Sequence, residues 1–228
     1  MRPGESRSQT TVAEPRSEGP TRLWLIRHGA TEWNLDKRAQ GQADIPLTDK
    51  GREQAKEVAA SLSPFKLDAV YSSDLVRAVD TARPIAEEQG LEVITDPAFR
   101  EIDQGEWTGL PVDEIRRRWP DRWGDARHYS ARPGGESPAQ VRKRALEGLR
   151  RVIEEHPSGW VAIVSHGGTM RWIVAEAFGY DDLRSARLRG ISNGGSVLLE
   201  GAIEGADLKL SFVERLDGRP PDLDDPND

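Results

Sequence analysis

Two of the four histidines share a local setting: each closes a short apolar run and is followed by glycine. They appear as Arg27-His28-Gly29 after Leu23 to Ile26, and as Ser165-His166-Gly167-Gly168 after Val161 to Val164. An imidazole can attack an electrophile, move a proton or bind a metal, so these positions are the first candidates for chemistry. Arg27, Arg77 and Glu101 join them, and because the five lie far apart in sequence only a fold can unite them. Singly, each has a plain structural alternative, since a histidine after a strand is often just a hydrogen-bonded structural residue. The absence of cysteine excludes disulfides, thiol nucleophiles and thiolate metal sites. His28, His128, His156 and His166 lack the close spacing of zinc-binding helices, so neither a metal nor a cofactor is expected.

The elements that must hold these residues can be read from periodicity. Short apolar runs alternate with longer amphipathic stretches, the pattern of βα units in a mainly parallel sheet covered by helices. The fold class expected is therefore α/β, a three-layer sandwich with a small helical lid insertion. Leu23 to Ile26 and Val161 to Val164 are the clearest buried strands, which puts both histidines at carboxyl ends of strands, where open α/β sheets bind ligands. Thr48 is a plausible N-cap for a helix whose Ala55, Val58, Ala59 and Leu62 share one face. Ser137 and Gln140 form a capping box ahead of Val141, Ala145, Leu149 and Val152. A further helix is expected after Ser73 through Leu75, Val79 and Ala82, kinked or restarted at Pro84 because proline removes a backbone donor. Val197 to Leu199 and Leu208 to Val213 read as a late hairpin.

With 228 residues the chain can bury a full core in one domain. Residues 1–20 and the acidic stretch 217–228 carry few large apolar side chains and are expected to be disordered, leaving a catalytic domain over 21–216 with a lid at about 106–136. The net charge of -7 argues against nucleic acid or anionic membrane as a partner, so any anion site must be built locally. No membrane span or signal peptide is visible, which makes the cytoplasm the default location. The oligomeric state stays open, with a homodimer the commonest arrangement.

Five segments in order resemble the histidine phosphatase (phosphoglycerate-mutase-like) superfamily. They are RHGATEWN from Arg27, GQADIPLTDKGREQA from Gly41, YSSDLVRAVDTA from Tyr71, REIDQGEWTGL from Arg100, and SHGG from Ser165. RHG alone is weak; the ordered set is specific and covers most of residues 21–215. The resemblance implies a metal-independent phosphomonoesterase acting on a small phosphorylated metabolite. In it His28 carries the phosphoryl group, Arg27 and Arg77 clamp its oxygens with planar forks, and His166 hydrogen-bonds it. Glu101 is then the proton donor to the leaving oxygen and the acceptor from the hydrolytic water. A substrate dianion beside Glu101 would hold the proton on it, giving a neutral to mildly acidic optimum. Thr31, Asn34, Gln40 and Gly41 are implied around the phosphate. Gly29, Gly167 and Gly168 fit as positions where backbone nears ligand, with ordinary turn glycine as the alternative.

Between Trp107 and Pro133, Trp119, Trp123, His128 and Tyr129 stand among Arg116, Arg117, Arg118, Arg122, Arg127 and Arg132. An aromatic and basic lid could grip a leaving group. The interleaved Asp113, Glu114, Asp121 and Asp125 equally suit surface ion pairing, which is the reading preferred for most of these arginines. Mutases of this family follow the acid with Arg-His-Tyr-Gly, whereas Glu101 precedes Ile102-Asp103-Gln104-Gly105, so the grip on a substrate carboxylate is missing. Hydrolysis is thereby preferred over a 2,3-bisphosphoglycerate-dependent phosphoglycerate mutase. A non-catalytic phosphate-binding module and a metal-dependent hydrolase are weaker alternatives.

Overall fold

The computed structural model describes residues 19–123, 130–188 and 190–215. In chain order the elements are β1 (Thr21–Arg27), α1 (Glu32–Leu35), α2 (Asp49–Leu62), β2 (Ala69–Ser72), α3 (Val76–Gln89), β3 (Val93–Thr95) and α4 (Val112–Arg118). They continue with α5 (Pro138–Glu155), β4 (Trp160–Ser165), α6 (Gly167–Ala177), α7 (Asp182–Arg187), β5 (Ser196–Glu204) and β6 (Asp207–Arg215). The strands form one sheet in the order β3-β2-β4-β1-β5-β6. The first four strands run parallel, while β5 and β6 are antiparallel additions at the β1 side. The α/β class expected from periodicity is therefore present, as a mixed six-stranded sheet flanked by helices.

Successive side chains of a strand point to opposite faces, so a strand covered on both sides must be apolar at every position. In β1, Leu23 and Leu25 join Val161 and Ile163 of β4 in one core cluster with Ala145, Leu149 and Val152 of α5 and Met170 and Ile173 of α6. Trp24 and Ile26 turn the other way, to Val70, Ala162 and Val164 and to Val58 and Leu62 of α2 and Ala78, Ala82 and Ile85 of α3. Removing a large side chain such as Ile163 from either layer costs about 2–5 kcal/mol. The register pairs Arg27 with Ser165, so the residues following each strand, His28 and His166, leave the sheet side by side.

The Thr48 cap forms, its side chain accepting from Gly51 N, and so does the Ser137–Gln140 capping box. Of the kink or restart expected at Pro84, no restart occurs: α3 runs on through it. Thr81, Ala82, Ile85 and Ala86 are all buried around it, and their packing offsets the one missing backbone bond. No helix among the described residues is long and apolar enough to cross a membrane. In the lid stretch, Asp125, Arg127, His128 and Tyr129 lie outside the described residues, as do most of the terminal stretches 1–20 and 217–228.

Candidate active site

Where β1 and β4 end, two imidazoles meet with ring centroids 5.0 Å apart and planes 56° apart. Both are buried, and their tautomers follow from their partners. His28 Nδ1 lies 2.7 Å from the Gly29 carbonyl oxygen, which can only accept, so the proton sits on Nδ1 and the Nε2 lone pair is the one available to attack. His166 has the opposite arrangement: its Nδ1 accepts from Arg77 Nε at 3.2 Å, which puts its proton on Nε2. That Nε2 is buried and has no hydrogen-bond partner among the described residues. One ring thus offers a lone pair and its neighbour an N–H. Burial holds both well below the usual histidine value near 6.5, seconded by the positive charges of Arg77 and Arg27, so both are neutral.

Arg77 is fully buried on α3. Besides His166 it donates from Nη2 to the Gly41 carbonyl and from Nη1 to the Ala43 carbonyl, each at 2.7 Å. Three of its five N–H groups are committed to the protein, leaving one on each terminal nitrogen to face an anion. The guanidinium therefore serves first as a brace for His166 and the 41–43 loop. Burial lowers it to about 10, still a cation at neutral pH. Arg27 anchors through Nη1 to the Ile191 carbonyl at 2.7 Å, and its guanidinium carbon lies 3.2 Å from where a Cβ on Gly167 would be. A side chain on Gly167 would press against the Arg27 guanidinium.

Glu101 reaches the N-terminus of α6, where Oε2 accepts from Gly168 N at 3.1 Å while Oε1 accepts from Ile102 N at 2.9 Å. A Cβ on Gly168 would fall 2.4 Å from Oε1. The structure therefore brings together His28, His166, Arg77, Arg27 and Glu101. With an α6 N-terminus beside two arginines, the locality is cationic within a chain of net charge -7.

The flanking residues divide. Thr31 and Asn34 form a capping box on α1, with the Asn34 Oδ1 accepting from Thr31 N, Thr31 Oγ1 and Asn193 Nδ2, so only the amide hydrogens of Asn34 remain for a ligand. Gln40 is buried with its side-chain oxygen unpartnered among the described residues. Gly41 adopts φ +53° and turns its carbonyl to Arg77. At Gly29 a Cβ would sit 2.3 Å from the Gly51 carbonyl oxygen, so close backbone packing on α2 by itself already requires glycine there.

Sequence reasoning missed several supports. Asn193 donates to the His28 carbonyl at 3.0 Å and Thr81 Oγ1 accepts from Gly29 N at 3.0 Å, fixing the His28 loop from two sides. Ser165 Oγ donates to the Phe99 carbonyl, Thr169 Oγ1 to the Arg100 carbonyl, and Arg144 to several carbonyls of the same loop. The Ser192-Asn193-Gly194-Gly195 turn was a visible signal, but only the antiparallel placement of β5 brings it to the His28 end of the sheet.

A cavity of about 390 Å³ opens beside the site; its lining includes Arg27, Glu101, Trp107, Ile115, Arg132 and Arg171, but neither histidine. The Arg132 guanidinium stacks 5.1 Å from the Trp107 ring. Arg116 and Arg118 instead pair with Asp113 and Glu114 on α4, the surface role preferred for them from sequence.

Comparison with known proteins agrees with this arrangement. A family model described as "Histidine phosphatase superfamily (branch 1)" matches residues 23–213. "Phosphoserine phosphatase 1" of Hydrogenobacter thermophilus is 40% identical over 163 residues, covering 70% of this chain and 77% of that protein. A "Probable phosphoglycerate mutase GpmB" of Cronobacter sakazakii is 34% identical over 170 residues, 73% of this chain and 79% of that one. Among solved structures, a native mycobacterial glucosyl-3-phosphoglycerate phosphatase aligns with a TM-score of 0.78 at 30% identity, over 84% of this chain and 96% of that chain.

Proposed function

This chain belongs to the histidine phosphatase superfamily, and on that footing we propose that it hydrolyses the phosphomonoester of a small metabolite through a phosphohistidine on His28, without a metal. The observation that carries the reading is the pair of opposed tautomers: a neutral His28 with its Nε2 lone pair available beside a His166 whose N–H has no partner among the described residues. The Nε2 lone pair forms a bond to phosphorus as the bond from phosphorus to the leaving oxygen breaks. Glu101 gives that oxygen its proton, and the alcohol departs. Arg27, Arg77 and the His166 N–H hold the equatorial oxygens as charge shifts. A water then attacks the phosphohistidine, Glu101 takes its proton, inorganic phosphate leaves, and His28 returns to its starting form. Asn34, Gln40, Gly41 and Gly167 complete the phosphate surroundings, within a catalytic unit over residues 21–216.

A phosphate-release screen over small phosphomonoesters, in excess chelator, tests this. Turnover of at least one ester is expected with chelator present, and none with His28→Ala. Retained turnover in that variant rejects the nucleophile. A second reading, a 2,3-bisphosphoglycerate-dependent phosphoglycerate mutase, is favoured by the name of relatives such as the Cronobacter protein. Isomer formation from 3-phosphoglycerate without free phosphate would select it over hydrolysis.

A further inference from the structure

The backbone around Glu101 has no regular secondary structure from Arg100 to Gln104, yet a proton donor must hold its place to within a fraction of an ångström. Nothing in a strand ladder or helix fixes it. Single side-chain bonds reach it from Thr169, to the Arg100 carbonyl, and from Gln42 Nε2, to the Glu101 carbonyl at 3.2 Å, but one guanidinium on α5 spans it. Arg144 donates from Nη1 to the carbonyls of Ala98 at 2.8 Å and Arg100 at 2.7 Å, and from Nη2 to the carbonyl of Glu101 itself at 3.0 Å. Its remaining donors go to Glu136, Nε to Oε1 at 2.8 Å and Nη2 to Oε2 at 2.9 Å. Every N–H of the guanidinium is thereby engaged.

Glu136 finishes the frame on the other side of Glu101. Its Oε2 also accepts from Asp103 N at 2.9 Å, and its own backbone N–H donates to the Asp103 carbonyl at 3.0 Å. Both side chains are about one-fifth exposed, so the pair is shielded and its geometry is not the loose one of a surface ion pair. Burial pushes the Glu136 carboxyl up, but its bonds to Arg144 and Asp103 N outweigh this and leave it below the ordinary carboxylate value. The frame is therefore charged throughout the neutral range. It touches carbonyls at 98, 100 and 101 and both backbone groups of 103, while the Glu101 carboxyl itself remains free to reach the α6 N-terminus.

We propose that Arg144 and Glu136 act as a positioning pair for the Glu101 carboxyl, setting it against the leaving oxygen, an inference that rests on the phosphatase reading above. Neither residue hydrogen-bonds the phosphoryl group's own ligands among the bonds described; Arg144 reaches His166 only as a nearby positive charge, which Arg144→Lys keeps, so the loss in that variant acts through Glu101. A misplaced acid matters most when the departing alcohol is strongly basic and matters little when it leaves unaided.

The test is kcat/KM for a phenolic ester with an acidic leaving group, p-nitrophenyl phosphate, against an alkyl phosphate. This parameter reports formation of the phosphoenzyme and leaves out the later water step. Glu101→Gln sets the scale, with an expected loss of about 10²–10⁴ on the alkyl ester and a far smaller one on the aryl ester. Arg144→Lys and Glu136→Gln, chosen to retain size and solubility, are expected to lose about ten-fold or more on the alkyl ester with little change on the aryl ester. Combining either with Glu101→Gln is expected to add almost nothing. Equal losses on both esters, or losses that multiply with that of Glu101→Gln, overturn the positioning role and leave a merely structural one. Wild-type protein that releases phosphate from no ester in the screen overturns the phosphatase reading itself, which separates the two failures.

Discussion

A histidine that attacks phosphorus must be neutral, and His28 is kept so by burial first and by the charges of Arg77 and Arg27 second. The cost appears in stability. In the unfolded chain both His28 and His166 protonate near pH 6.5, while in the fold both resist protonation to well below that. Below that pH the unfolded state binds more protons, so stability is complete above about 6.5 and is lost as pH falls beneath it. The two rings together contribute a slope of up to about 2.7 kcal/mol per pH unit in that window. Urea unfolding of the wild type at pH 7 and pH 5.5, set beside His28→Ala/His166→Ala, measures it; an unchanged pH dependence in the double variant removes the claim. The same depression keeps the nucleophile competent in mild acid, so kcat/KM should not fall at pH 6.5 on account of His28.

At the level of elements, two glycines that look alike in sequence have different tasks. Gly29→Ala drives a methyl into the Gly51 backbone, which cannot step aside without moving α2, and should cost about 1–3 kcal/mol in chemical denaturation. Gly168→Ala meets only the movable end of Glu101, so the protein should fold with nearly wild-type stability. It should nevertheless lose about ten-fold or more in kcat/KM on an alkyl phosphate. Swapped outcomes would reverse the assignment of the two positions. The contrast also marks what local sequence could reveal. β1, β4, the late hairpin and the Thr48 and Ser137 caps depend on neighbours a few residues away, and spacing exposed them. That α3 would continue through Pro84 could not be read locally, because the packing that tolerates it comes from elsewhere in the chain. Nothing near Arg144 in the sequence marks its task, since the three carbonyls it holds lie 43 to 46 residues earlier. The five site residues themselves stood out through ordered motifs, while Thr81, though inside one of them, and Asn193, in a visible turn, gave no sign of the bonds they make to the His28 loop.

For the whole molecule, ligand and fold share the same free energy. An anion that binds only where the two arginines and two imidazoles meet should stabilise the native state by about 2.7 kcal/mol at a hundred-fold excess over Kd. For a domain of this size that raises Tm by roughly 5–11 °C. Thermal melts with inorganic phosphate or vanadate test this, with Arg27→Met expected to abolish the shift; an equal shift in that variant would place the anion elsewhere. The sheet order carries a further consequence, for synthesis. Of the described strands β1 is made first, yet both its neighbours, β4 and β5, are made more than a hundred residues later. A nascent chain thus bears His28 long before it has a pocket, and the complete anion site cannot exist until β4 and β5 have been made. Pairing partners so remote also makes the final closure of the sheet a slow event in refolding, one that the first strand must await.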